Sequence, residues 1–262
     1  MMRLALIACF LFVAVAAYAG IVREEVIYSG DGVTLKGYLV YNDSIKEKRP
    51  GVLVVHEWWG NNDYSRMRAD MLAELGYIAF AVDMYGDGKL ADNPADAGKL
   101  AGGVMSNMNG MKSRFLAALE ELKKNKAVDP TRIAAIGYCF GGGVALNMAC
   151  AGADLQGVVS FHGSLSTVKP ALPGMIKAKI LVCNGATDLF NPDAAVNKFK
   201  ADMDSSKADY KFINYPDAVH AFTNPASTEA GKKFNIPIAY NEKADKKSWA
   251  DMVEFFGMIF KK

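Results

Sequence analysis

Gly137-Tyr138-Cys139-Phe140-Gly141-Gly142 sets a cysteine between glycines directly after the apolar run Ile133-Ala134-Ala135-Ile136. That is the layout of a nucleophile elbow, a strand-to-helix turn that holds a reactive side chain above an α/β sheet, with Cys where Ser is usual. A nucleophile on so sharp a turn sits at a strained backbone angle. The residues two before and two after it must therefore be small enough for strand and helix to approach. Gly137 and Gly141 occupy those places. The small apolar stretch Gly142 to Ala149 predicts a buried helix whose positive dipole end favours thiolate. The competing reading is a buried structural cysteine before a glycine-rich turn, because free Cys is among the most buried residue types.

A thiol nucleophile needs a base to take its proton and a third group to fix that base's tautomer. Folds with this elbow supply them in the order nucleophile, acid, histidine. After Cys139 the histidines are His162 and His220. His220 lies in Pro216-Asp217-Ala218-Val219-His220-Ala221-Phe222, after the strand-like Tyr210 to Tyr215, where the base is expected. His162 follows the apolar run Val158 to Phe161 and is read as structural, at the pocket rim or bonded to backbone, while His56 is expected to hydrogen-bond locally. For the acid, Asp188 ends Asn184-Gly185-Ala186-Thr187-Asp188 after the run Ile180 to Cys183, at the strand edge where open α/β sheets gather catalytic groups. Asp193 reads instead as the start of a helix, and Asp217 stands only three residues before His220. Glu57, in His56-Glu57-Trp58-Trp59-Gly60, borders the same site. It either holds or accepts the thiol proton or is a loop carboxylate bonded to backbone amides.

These groups must be carried by a sheet. Val22 to Ile27 and Val33 to Tyr41 alternate across Ser29-Gly30-Asp31-Gly32 and predict an opening β-hairpin. Continuous apolar runs follow at Val52 to Val55, Ile78 to Val82, Ile133 to Ile136, Val158 to Phe161 and Ile180 to Val182, alternating with helical segments. That order indicates an α/β fold, a mostly parallel sheet covered by helices on both faces. Helices are expected over Tyr64 to Leu75, Lys112 to Lys124, Gly142 to Cys150, Asp193 to Met203 and Lys243 to Phe260. In the last of these Trp249, Met252, Val253, Phe256 and Phe260 form a core-packing stripe. Ala101 to Met111 reads as a loop or weak helix over the site, a candidate lid, and Thr223 to Ile238 as a long loop.

Arg3, the apolar run Leu4 to Ala17 and Ala17-Tyr18-Ala19 before Gly20 have the form of a signal peptide over residues 1–19, leaving one domain over residues 20–262. The expected location is periplasmic or secreted, with no membrane association after cleavage. Thirty basic and 28 acidic residues give a formal charge of +2, a balance that argues against a nucleic-acid partner. Removal of Cys9 with the leader leaves Cys139, Cys150 and Cys183, so at least one thiol is free. Whether Cys150 and Cys183 pair is a question of geometry. No Cys/His spacing suggests a metal site.

Taken together, His56-Glu57-Trp58-Trp59-Gly60-Asn61, Val82-Asp83-Met84-Tyr85-Gly86, the elbow, Gly185-Ala186-Thr187-Asp188 and His220-Ala221-Phe222 resemble the dienelactone hydrolase family of α/β-hydrolases along essentially the whole mature chain. The resemblance implies a Cys139, Asp188 and His220 triad acting through a thioester, with no cofactor or metal. It implies that Glu57 bonds the resting thiol and that the backbone N–H groups of Phe140 and Trp58 form the oxyanion hole. The sequence departs from the family in the pocket. Arginines expected after the Tyr85 segment and four residues past the histidine are replaced by Gly86-Asp87-Gly88 and Asn224, and Ala221 stands where a serine is expected. Losing those cations disfavours a carboxylate-bearing lactone and favours a small neutral ester or lactone. A ligand-binding protein without turnover and an oxidation-sensitive Cys139 are the alternatives. The oligomeric state is open, a monomer included.

Overall fold

A computed structural model describes residues 20–261; the expected signal segment 1–19 lies outside them. The hairpin of β1 (Ile21–Gly30) and β2 (Val33–Asn42) turns at Asp31-Gly32, both at positive φ of 55° and 71°, the Asp-Gly pair that a tight two-residue hairpin loop favours. Next come β3 (Arg49–Val55), α1 (Asp63–Glu74), β4 (Ile78–Val82), α2 (Pro94–Ser106), α3 (Met108–Lys123) and β5 (Val128–Tyr138). The second half runs α4 (Phe140–Cys150), β6 (Gly157–Phe161), β7 (Lys179–Gly185), α5 (Asp193–Ser205), β8 (Tyr210–Tyr215), α6 (Ser227–Phe234) and α7 (Glu242–Ile259).

All eight strands form one sheet in the order β1-β2-β4-β3-β5-β6-β7-β8. The pairs β1·β2 and β2·β4 are antiparallel, and β4 through β8 are parallel. The expected hairpin and parallel sheet are therefore both present. Successive side chains of a strand point to opposite faces, and the continuous apolar runs fill two cores. Leu53 and Val55 join Phe115 and Leu119 of α3 and Leu146 of α4 on one face. Val52 and Val54 join Leu72 of α1 and Met252 and Phe256 of α7 on the other. No described helix is long and apolar enough to cross a membrane.

Of the two segments expected as loop, the first is the weak helix that was its alternative and the second holds a short helix. Ala101 to Met111 is helical except at Asn107, which ends α2 and caps α3 by accepting from the Gly110 N–H at 2.9 Å. The glycines Gly102 and Gly103 mask this helix in the sequence, because Gly is a poor helix former. The start of α2 is fixed instead by Asn93, whose side chain accepts from the Asp96 N–H at 3.0 Å, with Pro94 in the first turn. Thr223 to Ile238 contains α6, which ends at Asn235 in the left-handed conformation with φ of 51°. The chain then returns so that Ile238 bridges His220.

Candidate active site

The site is assembled at the carboxyl ends of the parallel strands. Cys139 joins β5 to α4 with φ of 53° and ψ of −116°, a conformation that L residues rarely adopt and that holds the side chain above the sheet. The flanking glycines meet the steric demand. A Cβ on Gly137 would lie 2.0 Å from the Gly141 carbonyl oxygen, and one on Gly141 would lie 2.3 Å from that of Val55. The elbow is thus pressed against the end of β3, where Glu57 and Trp58 begin the next loop.

His220 Nε2 lies 3.0 Å from Cys139 Sγ, and His220 Nδ1 lies 2.8 Å from Asp188 Oδ2. The structure brings Cys139, Asp188 and His220 into one hydrogen-bonded line. Asp188 is held in turn: its Oδ1 accepts from the Phe190 N–H at 2.8 Å and its Oδ2 from Asn191 Nδ2 at 3.0 Å. Burial disfavours the His220 imidazolium, yet the Cys139 thiolate and the Asp188 carboxylate outweigh it and raise the pKa to about 10. An imidazole so placed can take the thiol proton and hold it as an ion pair.

Glu57 makes no hydrogen bond to the thiol in this arrangement. The thiol is bonded to His220, while Glu57 Oε2 accepts from Asn224 Nδ2 at 2.6 Å. Burial raises the Glu57 pKa to about 7, against the opposing pull of the Asn224 amide and the His220 charge. Asn224 is therefore a site residue whose role residue type alone did not reveal. Its own orientation is fixed because its Oδ1 accepts from the Ala226 N–H at 2.9 Å.

His162 lies beneath the elbow. Its Nδ1 accepts from the Cys139 N–H at 3.1 Å, and its Nε2 pairs with Thr223 Oγ1 at 2.7 Å. Burial, reinforced by the His220 charge, pushes its pKa well down and keeps it neutral. Thr223 Oγ1 also pairs with the Tyr64 hydroxyl at 2.6 Å, and Arg68 joins this buried network through the Thr223 carbonyl and an ion pair of 2.6 Å with Asp245. The structural reading of His162 thus acquires a definite partner, the nucleophile's own amide. Cys150 and Cys183 are both free and buried, and burial raises their thiol pKa values to about 11 and about 12.

Phe140 is the first residue of α4, so its N–H has no acceptor within the helix. The Trp58 N–H donates to no protein acceptor among the described residues. Both residues line a cavity of about 310 Å³ that opens onto Cys139, with Trp59, Met105, Phe190 and Ile238 giving it a largely apolar wall. Neither lysine nor arginine lines it; its ionisable groups are Glu57, Cys139 and His220. Ala101, Gly102 and Met105 make α2 one wall of the cavity, so the segment expected over the site does reach it.

A parallel sheet carrying an elbow, an acid and a histidine at its carboxyl edge defines an α/β-hydrolase. The fold is shared with MGS-M1, an α/β-hydrolase from a Medee basin deep-sea metagenome library, at a TM-score of 0.67 and 16% identity over 92% of this chain and 99% of that one. The sequence profile of the dienelactone hydrolase family matches residues 35–260, and the chain belongs to that family of ester and lactone hydrolases. It is 32% identical over 228 residues to Protein usf of Aquifex pyrophilus, covering 83% of this chain and 96% of that protein. The dienelactone hydrolase-like promiscuous phosphotriesterase P91 from metagenomic libraries is 32% identical, with a TM-score of 0.85 over 92% of this chain and 100% of that one.

Proposed function

We propose that this hydrolase is a cysteine enzyme that cleaves small neutral esters or lactones through a thioester, and that it works outside the cytoplasm after loss of residues 1–19. The observation that carries the reading is the hydrogen-bonded line from Asp188 through His220 to Cys139. Asp188 fixes the tautomer with the proton on Nδ1, which leaves Nε2 free to take the thiol proton. Cys139 Sγ then attacks the substrate carbonyl carbon. The oxyanion that forms is met by the Phe140 and Trp58 N–H groups. Collapse expels the alcohol oxygen, which takes the proton from His220, and leaves the acyl group on sulfur. His220 next deprotonates a water that attacks the thioester, and the carboxylic acid leaves as the thiol is restored.

The apolar cavity without lysine or arginine supports an uncharged acyl group. The signal-like leader supports export. Intact-mass detection of acylated protein across a panel of neutral esters and lactones tests the reading. A phosphotriester belongs in the panel because of the likeness to P91. Acyl adducts are expected in the wild type and absent in Cys139→Ala, while His220→Ala loses at least roughly 10³-fold in turnover. Full turnover in both variants, or stoichiometric binding without an adduct on any substrate, would overturn it. Detection of the mature chain beginning at Gly20 in a periplasmic or culture fraction tests export, and an intact leader in the cytoplasm contradicts it.

A further inference from the structure

None of the steps above uses His56, a completely buried imidazole at the end of β3. Its ring lies between two aromatic groups, edge-on to Tyr85 at 4.7 Å and stacked on Phe140 at 5.6 Å. The Met84 N–H donates to its Nε2 at 3.2 Å, which places the ring proton on Nδ1. That Nδ1–H donates to the Glu57 carbonyl oxygen at 2.5 Å.

The accepting oxygen belongs to the same peptide unit as the Trp58 N–H. A peptide is planar and trans, so its C=O and N–H point in opposite directions. Anchoring the carbonyl against the buried ring therefore turns the Trp58 N–H away from that ring. The Gly60 N–H adds a second donor to the Glu57 oxygen at 3.2 Å, and the Tyr85 hydroxyl holds the Trp58 carbonyl at 2.9 Å. Hydrogen bonds to a carbonyl oxygen also polarise its amide, which makes the N–H a stronger donor.

We propose that His56 is a positioning residue that pins and polarises the Glu57–Trp58 peptide, presenting the Trp58 N–H to the oxyanion formed during acyl transfer. The proposal rests on the reading of Trp58 as an oxyanion donor. Burial keeps the ring neutral, with a pKa lowered to about 4, so it serves through its fixed Nδ1–H and not through charge.

Two reactions of the same sulfur separate this role from general support of the site. Acylation by an activated ester develops an oxyanion; alkylation by iodoacetamide is a displacement that develops none. His56→Leu is expected to lower the acylation rate constant by roughly 10²-fold, the size of one lost oxyanion donor. Alkylation and KM should stay within about threefold on the same argument, since neither involves an oxyanion. His56→Asn places an amide N–H near the Nδ1 position and should recover at least about tenfold of the loss. Should the leucine variant fail to fold, Asn and Gln give the same comparison, because the Gln amide lies at the Nε2 position. Wild-type acylation in His56→Leu, an equal fall in alkylation, or no advantage of Asn over Leu or Gln would overturn the proposal. Absence of any Cys139 adduct in the wild type would overturn the cysteine-thioester reading itself and is seen before any His56 variant is made.

Discussion

The Asn224 side-chain amide donates to Glu57 Oε2 at 2.6 Å while Cys139 faces His220 Nε2 at 3.0 Å, so the buried carboxylate and the thiol have separate partners. An arginine at this position would offer a cation; the amide offers only a dipole. Glu57 is thereby left as a proton-binding group near neutrality, its pKa raised to about 7 by burial.

Cys139 alkylation should report that ionisation. Iodoacetamide rates measured across the neutral range are expected to show an inflection near the Glu57 pKa of about 7 in the wild type. Glu57→Gln should remove it. An identical profile in the two proteins would confine Glu57 to a structural role.

Stability should carry the same signature. The folded-state pKa of about 7 stands above the ordinary value of 4.5, so the folded chain binds the extra proton between those values and loses stability as pH rises through that window. A fully buried group with this shift corresponds to a loss on the order of 3 kcal/mol. Glu57→Gln cannot ionise and should gain up to that amount over the wild type at about pH 8, with the gain shrinking toward pH 4. Urea unfolding at both pH values checks the sign, and a variant less stable than the wild type at the higher pH refutes it.

Gly141→Ala should damage both folding and catalysis. The new Cβ would meet backbone, at 2.3 Å from the Val55 oxygen and 2.6 Å from the His56 oxygen, and backbone cannot swing aside. A cost of roughly 1–3 kcal/mol is expected from the overpacking. Displacement of the elbow from β3 should lower acylation further than the melting temperature implies. Thermal melts with single-turnover acylation test this, and full acylation in a variant of unchanged Tm would refute it.

Substrate charge should be set by the missing cations. Ala101 lies on α2 at the cavity wall and is partly exposed. Ala101→Arg should move the ratio of kcat/KM for a carboxylate-bearing ester over its neutral analogue upward by roughly tenfold, as expected of one partly screened charge contact. An unchanged ratio would show that pocket charge does not govern the choice.

The reactive line was legible because each member carries a local signal: glycines around Cys139, the apolar run Ile180 to Cys183 before the loop of Asp188, and the strand-like Tyr210 to Tyr215 before that of His220. Asn191 and Asn224 gave no such signal. Their importance lies in which buried carboxylate their amides face, and that is set by the meeting of loops distant in sequence. Asn224 and Glu57, for instance, are brought together only when β3 and the segment after β8 end on one side of the sheet. Helix α2 was only faintly legible, as a weak helix beginning too late, for a different reason. Gly98, Gly102 and Gly103 lower its local preference, whereas Asn93 and Pro94 define its start and Ala97 and Val104 bury its inner face. His56 looked like an ordinary strand-end histidine because its partner is a backbone carbonyl one residue away.

The relay residues follow the carboxyl ends of β5, β7 and β8, whereas part of the cavity wall comes from α2 and from Ile238 just beyond α6. The α2 part of the wall can consequently be changed apart from the reactive line, which itself lines the cavity through Cys139 and His220. A new side chain at Ala101, Gly102 or Met105 reshapes the space beside the sulfur while the strand ends that hold sulfur, imidazole and carboxylate stay in register.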